Sequence, residues 1–363
     1  MKPGRKRQLR LGTALFAVLC LPFAVLLALS CLSGWFDPSK AWLMAVLGIF
    51  FIPLVIINFL LLLTGLAARS RAALIPLLAL LPTLFFLGDY YRGKPDGQTG
   101  GQEGVRLVSY NVGRFVQASP KDKSSSRSQV RDSIKAFLLE QKADIICLQE
   151  YYVLKNEGVK VTLQKAFPGY DVNYYLYPTS RGWCGNVILS RYPRRGKGKI
   201  GFEDSSNLAL WGEYDINGSR IRIYNCHFES YGISLQGVAR SFLGDYRHTV
   251  SATGDKLRAS ILKRPAQVKA VLADVEKSPC RSVIAGDFND NPVSYTYRML
   301  SNGHKDTFED AGRGFGATFR YMWPLLRIDY ILSPQGVTAS FHEVLRKRFS
   351  DHYPVVAGLQ IDG

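Results

Sequence analysis

Three charge-free apolar runs near the start of the chain, 11–32, 41–68 and 72–87, restrict its fold more than any other feature. A helix needs roughly 20 apolar residues to cross the hydrocarbon core of a bilayer. The first run meets that length, the second is long enough to tilt, and the third lies at the short limit. The apolar core of a signal peptide is only roughly 7–15 residues long. The first run exceeds that and two more follow it, so residues 11–87 are expected to form three transmembrane helices. None of the runs holds a charged residue or an ionisable pair, which speaks for an anchor and against a transport path.

The short segments between the runs suggest an orientation. Lys2, Arg5, Lys6, Arg7 and Arg10 lie before the first run, and Arg69 and Arg71 lie between the second and third. Only Asp37 and Lys40 carry charge between the first and second. The positive-inside rule then places residues 1–10 and the second loop in the cytoplasm and the C-terminal part on the opposite side. A bacterial inner membrane with an extracytoplasmic, periplasmic domain is the expected setting. Residues 88–104, "GDYYRGKPDGQTGGQEG", are polar and rich in glycine, as linkers are. Residues 105–360 read as one globular domain.

Charge matters for this second part. From Gly104 onward there are 36 Lys and Arg against 25 Asp and Glu, most of the chain's +17 excess. A basic surface concentrates anionic partners such as nucleic acid or phospholipid headgroups, without selecting between them. The densest basic stretch, "RYPRRGKGK" at 191–199, reads as a solvated loop or as a contact to such partners.

Short runs rich in β-branched and aromatic residues recur at 105–110, 144–149, 186–190, 208–215, 220–226, 281–285, 328–332 and 353–359. Gly, Pro, Asn and Asp bound them, as they bound strands. Amphipathic helical stretches lie near 127–141 and 258–276, the first with Val130, Ile134, Phe137 and Leu138 on one face. Packed sheets with helices outside are the expected architecture. Cys147 and Cys226 fall inside apolar strands and read as buried free thiols, while no cysteine spacing matches a zinc motif.

The polar residues that end these runs carry the chemistry. "RLVSYN" ends at Asn111, "DIICLQE" at Glu150, "IRIYNCH" at His227, and "SVIAGDFN" at Asp287 and Asn289. "RIDYIL" sets Asp329 inside a strand, where a carboxylate needs a partner. "SDHYP" supplies Asp351 and His352. Any one of these is an ordinary turn former; six strand edges together make a kit for metal-assisted phosphoester hydrolysis. Magnesium takes oxygen ligands, which Glu150 and Asp351 offer. A histidine held by a carboxylate activates water well, and His352 with Asp329 fits. His227 and Asn289 are suitable donors to phosphate oxygens.

In order and content, "SYNV", "ADIICLQE", "GNVILSRYP", "IYNCHFES", "VIAGDFNDNP", "ATFR…RIDYIL" and "SDHYPVV" resemble the motifs of the endonuclease/exonuclease/phosphatase superfamily, across residues 105–359. The resemblance implies a four-layer α/β sandwich, two packed sheets with helices on both outer faces. It implies a metal site of Asn111, Glu150 and Asp351 for Mg²⁺ or Mn²⁺, with Glu150 the main ligand. It implies that His227 binds the scissile phosphate, that Asp287 orients or deprotonates the attacking water, that Asn289 positions phosphate and nucleophile, and that Asp329 pairs with His352. Either Asp287 or His352 then serves as the base. Asn186 is expected to touch substrate, and Arg327 either to touch phosphate or to pair with a nearby acid. The activity implied is that of a membrane-anchored phosphoester hydrolase acting on nucleic acid or a phospholipid headgroup. The alternative is an inactive, membrane-tethered binding domain of the same fold.

Overall fold

The computed structural model of the chain describes residues 3–93, 104–116, 126–231 and 246–362. The interior of the expected linker, 94–103, lies outside the described residues, as does 121–125 of the polar stretch before the first amphipathic helix. The chain forms two compact units, Met1–Gly88 with Asp290–Arg298, and Asp89–Asn289 with Met299–Gly363.

The first unit is helical. Helix α1 runs Pro3–Cys31, and its segment Leu11–Cys31 is long and apolar enough to cross a membrane. The second apolar run is not one straight helix. It forms α2 (Trp42–Ile49) and α3 (Phe51–Ala67), bent by 60° at Phe50. Pro53 explains the break: it cannot donate to Ile49, and its ring clashes with that carbonyl. The third run becomes α4 (Leu74–Leu80) between 3₁₀ turns at Arg71–Ala73 and Leu81–Phe86, followed by α5 (Leu87–Tyr90). Taken together, Arg71–Tyr90 is again long enough to span. Two helical segments therefore qualify, or three if the bent pair counts as one span. Inside the unit Asn58 donates from Nδ2 to the carbonyls of Phe23 and Leu54, at 3.0 and 2.9 Å, while Leu15, Val18 and Phe85 face outward.

The second unit holds two six-stranded sheets. One runs β13 (Val337–Val344), β14 (Val355–Ile361), β2 (Val105–Asn111), β3 (Ile145–Leu154), β5 (Gly182–Ser190), β4 (Asp171–Pro178). The other runs β10 (His304–Asp306), β12 (Asp329–Pro334), β9 (Arg281–Asp287), β8 (Ser219–His227), β7 (Leu208–Ile216), β6 (Arg194–Gly201). A small pair joins β1 (Tyr91–Arg92) to β11 (Gly314–Phe315), so the first residues of the expected linker belong to this unit. The inner faces meet in a core of Leu107, Ile145, Cys147, Ile188, Leu210, Ile223, Val283 and Ile331.

Helix α6 (Arg127–Glu140) starts at a capping box formed by Ser126 and Gln129. It packs Val130, Ile134, Phe137 and Leu138 onto the outer side of the first sheet, beside α7 (Val159–Ala166). Helix α8 (Tyr246–Glu276) connects β8 to β9 and buries Ile261, Val268 and Val271. Both parallel pairs, β2–β3 and β8–β9, are thus helical crossovers, which parallel strands require. The outcome is the expected α/β sandwich with outer helices.

The basic stretch 191–199 is largely strand β6, at a sheet edge, where charges discourage further pairing. Arg195 pairs with Asp215, and Lys199 lies over the ring of Tyr175. A Cβ at Gly198 would come within 2.4 Å of the Trp211 ring, so the glycine makes that strand possible.

Candidate active site

Parallel pairing delivers the polar residues in register. His227 closes β8 directly opposite Asp287 at the end of β9. Strand β12 runs antiparallel to β9 and sets Asp329 opposite Asp287. Two buried carboxylates placed side by side need a cation, and His352 supplies it. Its Nδ1 lies 2.9 Å from Asp329 Oδ2 and its Nε2 3.7 Å from Asp287 Oδ2. All three side chains are almost fully buried. From the other sheet, Asn111 at the end of β2 donates Nδ2 to Asp287 Oδ2 at 2.9 Å. His227 Nε2 sits 3.8 Å from Asp287 Oδ2 and 3.9 Å from Glu150 Oε1.

Glu150 lies where the β3–β5 register shifts between Leu148 and Tyr151, with φ at 53°. Such a bulge re-aims a side chain out of the ladder, and this carboxylate stays about one-quarter exposed at 26%. Oε2 accepts from Arg114 Nε at 3.1 Å, and Oε1 is 3.5 Å from Asn111 Nδ2. Asn289 also has a left-handed backbone, φ 52°. Its backbone N–H bonds Asp287 Oδ1 at 2.9 Å, and its Nδ2 bonds the carbonyl of Phe228 at 3.0 Å. Asp351 is half-buried, with Oδ1 3.0 Å from Ser350 Oγ.

Burial pushes the Asp287 carboxyl up to about 6; His352 and His227 pull the other way, and Asp329 adds to the rise. For His352 burial disfavours the charged ring, but Asp329 and Asp287 outweigh it, so the imidazole is held well above its ordinary value. Both carboxylates thus favour the protonated ring that lies between them.

The donors fit a hard divalent cation. Asp287, Asp329 and His352 offer ligand atoms within 4.8 Å of one another. In that group Asp329 is already bonded to the imidazole. Glu150 differs, because its one ion-pair partner among the described residues besides His227 is the half-exposed Arg114, which can move aside. Glu150, Asp351 and Asn111 carry oxygen donors of the type magnesium and manganese take, and the Asn111 Oδ1 accepts from the Gly113 N–H at 3.0 Å.

Two expected substrate contacts are placed elsewhere. Asn186 is buried and donates Nδ2 to the carbonyls of Leu208 and Asn225, at 3.2 and 2.9 Å, so it ties the two sheets together and does not face a ligand. Arg327 is 1% exposed and bonds Asp306 through Nη2 at 2.6 and 2.5 Å, between the rings of Phe308 and Tyr330. Of its two expected roles it takes the pairing with a nearby acid, in the core, and not the phosphate contact. Three contributors escaped the sequence reading. Arg114 holds Glu150, and the Oγ of Ser350 reaches the Asn111 carbonyl at 2.9 Å. Thr318 Oγ1 accepts from the N–H groups of Ile328 and Asp329, at 3.0 and 3.1 Å. Each lies within three residues of a quoted motif residue or inside a quoted motif, and that proximity was the available signal.

The sequence pattern of the Endonuclease/Exonuclease/phosphatase family matches residues 108–352, more than half of the chain. The chain belongs to that family, whose members are in general phosphoester hydrolases. A pattern described as a domain of unknown function matches residues 13–90. Among solved structures, an endonuclease/exonuclease/phosphatase from Beutenbergia cavernae is 20% identical with a TM-score of 0.54, over 71% of this chain and 72% of that one. A mannosyl-6-phosphatase from Bacteroides thetaiotaomicron is 18% identical with a TM-score of 0.52, over 71% of this chain and all of that one. The human Nocturnin catalytic domain with bound sulfate is 13% identical with a TM-score of 0.51, over 71% and 94%. At these identities the likeness is one of fold. No curated protein matches the chain.

Proposed function

We propose that the protein is a membrane-anchored, divalent-metal-dependent phosphoester hydrolase in which water attacks phosphorus in line with the leaving oxygen. The observation that carries this reading is the Asp287–His352–Asp329 chain, buried beside the open carboxylate of Glu150. Glu150, Asp351 and Asn111 would hold Mg²⁺ or Mn²⁺, which when bound polarises a phosphoryl oxygen and offsets charge on the leaving group.

The remaining roles follow from the side chains themselves. Asp287, raised to about 6, is a carboxylate at neutral pH that still accepts a proton readily, as a general base must. That favours Asp287 over His352 for the base. His352 keeps Nδ1–H on Asp329 and turns a second N–H toward the Asp287 side, where it donates to a phosphate oxygen. His227 presents Nε2 to the same space from β8. Asn289 and Asn111 fix the Asp287 oxygens from two directions and so orient the lone pair that meets the water.

The apolar helices support a membrane anchor, and the Lys and Arg bias of the short loops supports a cytoplasmic N-terminus with the hydrolase unit on the far side. The substrate is a phosphoester of nucleic acid or of a phospholipid headgroup. The test is hydrolysis by the full chain in detergent with Mg²⁺ or Mn²⁺ against DNA, RNA, sphingomyelin, phosphoinositides and bis-p-nitrophenyl phosphate. Cleavage that EDTA, Glu150→Gln and Asp287→Asn each abolish is expected. Folded protein that binds the ion but cleaves nothing would replace this reading with that of a binding domain.

A further inference from the structure

A backbone oddity beside the site points to a residue that none of the quoted motifs assigns. After β2 the chain makes a 3₁₀ turn, Gly113–Phe115, in which three successive residues are left-handed, with φ of 55°, 54° and 57°. A non-glycine residue in this region is disfavoured by roughly 1–2 kcal/mol, and such strain persists only where surrounding structure imposes it. The imposing contacts are visible. A Cβ at Gly113 would come within 3.0 Å of Ser350 Oγ and 3.1 Å of Asp351 Oδ1, so the turn lies tight against the SDH segment. Phe115 is buried, and its ring meets Tyr151 edge-on at 5.1 Å. Tyr151 directly follows Glu150.

Between these two anchors stands Arg114. Its backbone is held in a conformation that glycine would take more readily, yet its side chain is 56% exposed and buries little. What the side chain offers here is its head group. The head group is aimed at the site: Nε meets Glu150 Oε2 at 3.1 Å, with the Cys184 thiol alongside. A guanidinium carries five N–H donors in a planar fork that matches the oxygens of a phosphate. One donor suffices for Glu150.

We infer that Arg114 is a substrate-binding residue: its guanidinium pairs with Glu150 in the ion-free site, and with the ion in place it grips the non-bridging oxygens of the phosphoryl group. The inference rests on the hydrolase reading above for the identity of the site, and its test does not depend on turnover. Arg114 also competes with the divalent ion for Glu150, so the two partners exchange: the ion takes the carboxylate and the phosphate takes the arginine. A mere prop for Glu150 would behave in the opposite way, because removing it would loosen the ion as well.

The probes are inorganic phosphate and Mn²⁺, titrated by calorimetry into the full chain in detergent. Arg114→Gly is the informative variant, since glycine suits the left-handed backbone and keeps the turn. Arg114→Lys retains the charge without the fork. With Mn²⁺ saturating, Arg114→Gly is expected to weaken phosphate binding about tenfold, the scale of a charge-assisted hydrogen bond. Arg114→Lys should fall between that variant and the wild type. Mn²⁺ affinity in the glycine variant should be unchanged or higher. Phosphate affinity within threefold of wild type would overturn the inference. So would a matched loss of phosphate and Mn²⁺, which would make Arg114 a support for Glu150 alone. An absence of hydrolysis on every substrate, with this phosphate effect intact, would count against the hydrolase reading and not against Arg114.

Discussion

Replacing His352 by alanine tests the electrostatics of the site most directly. The imidazolium lies between Asp329 and Asp287, which face each other across the β9–β12 ladder. Removing one partner of a buried ion pair costs about 3–5 kcal/mol, because the other charge stays buried; here two carboxylates stay. The sign with pH follows from the two shifts. His352 is raised, so its stabilisation is complete below the ordinary imidazole range near 6.5 and is lost as pH rises through its higher folded value. Asp287 is raised to about 6, so its ionisation costs stability as pH rises through that value. Without the imidazolium that cost grows. The deficit of His352→Ala should therefore be near its full size at about pH 7–8 and shrink toward about pH 5, where a carboxyl takes up the proton. Adding Asp329→Asn should recover part of it. Cys147 and Cys226, both fully buried, report unfolding of this unit in the intact chain. Pulse labelling of their thiols along a urea series, read peptide by peptide, gives the stability at each pH. A deficit equal at pH 5 and pH 8, and unchanged by Asp329→Asn, would show that packing and not charge sets the cost.

Three other outcomes are expected. Glu150→Gln should weaken Mn²⁺ binding at least tenfold in calorimetry while thermal stability holds, since the side chain is partly exposed. The log of kcat/KM should climb with pH and level off near about 6, as Asp287 loses its proton; a profile flat from pH 4 to 8 would remove Asp287 as the base. Arg327→Met should destabilise the second unit by about 3–5 kcal/mol by leaving Asp306 buried without its cation, yet leave KM of the folded protein unchanged; a raised KM with normal stability would return Arg327 to the substrate.

The sequence reading was most accurate where local pattern and tertiary role coincide. The eight β-branched runs all became strands, because continuous apolar runs bounded by turn residues mark strands buried on both faces, and Val130, Ile134, Phe137 and Leu138 became the buried face of α6, because helical periodicity records which side is dry. Strands β4 and β13 went unread. Their faces are only partly buried at sheet edges, which weakens the alternation. Strand β6 does not show as a strand in the sequence, because its charges and glycines serve the edge and the Trp211 ring, and neither purpose shows in a hydrophobic pattern. The bend between α2 and α3 was hidden for a similar reason: an apolar run reads alike whether or not Pro53 breaks it.

The site divides along the same line. Sequence alone determined which residue types stand at the strand ends, from Asn111 and Glu150 to Asp351 and His352, because an apolar run and the polar residue that closes it are neighbours in the chain. Only the tertiary structure decided what each of them faces. Asn186 and Arg327 sit in motifs as telling as the others, yet one bridges two backbone carbonyls and the other neutralises Asp306. Arg114 lay unmarked in the sequence and stands against Glu150. Partnership is a property of distance: Arg114 meets Glu150, 36 positions on, only once β2 has paired with β3, and Asn111 meets Asp287, 176 positions on, only once the two sheets have packed.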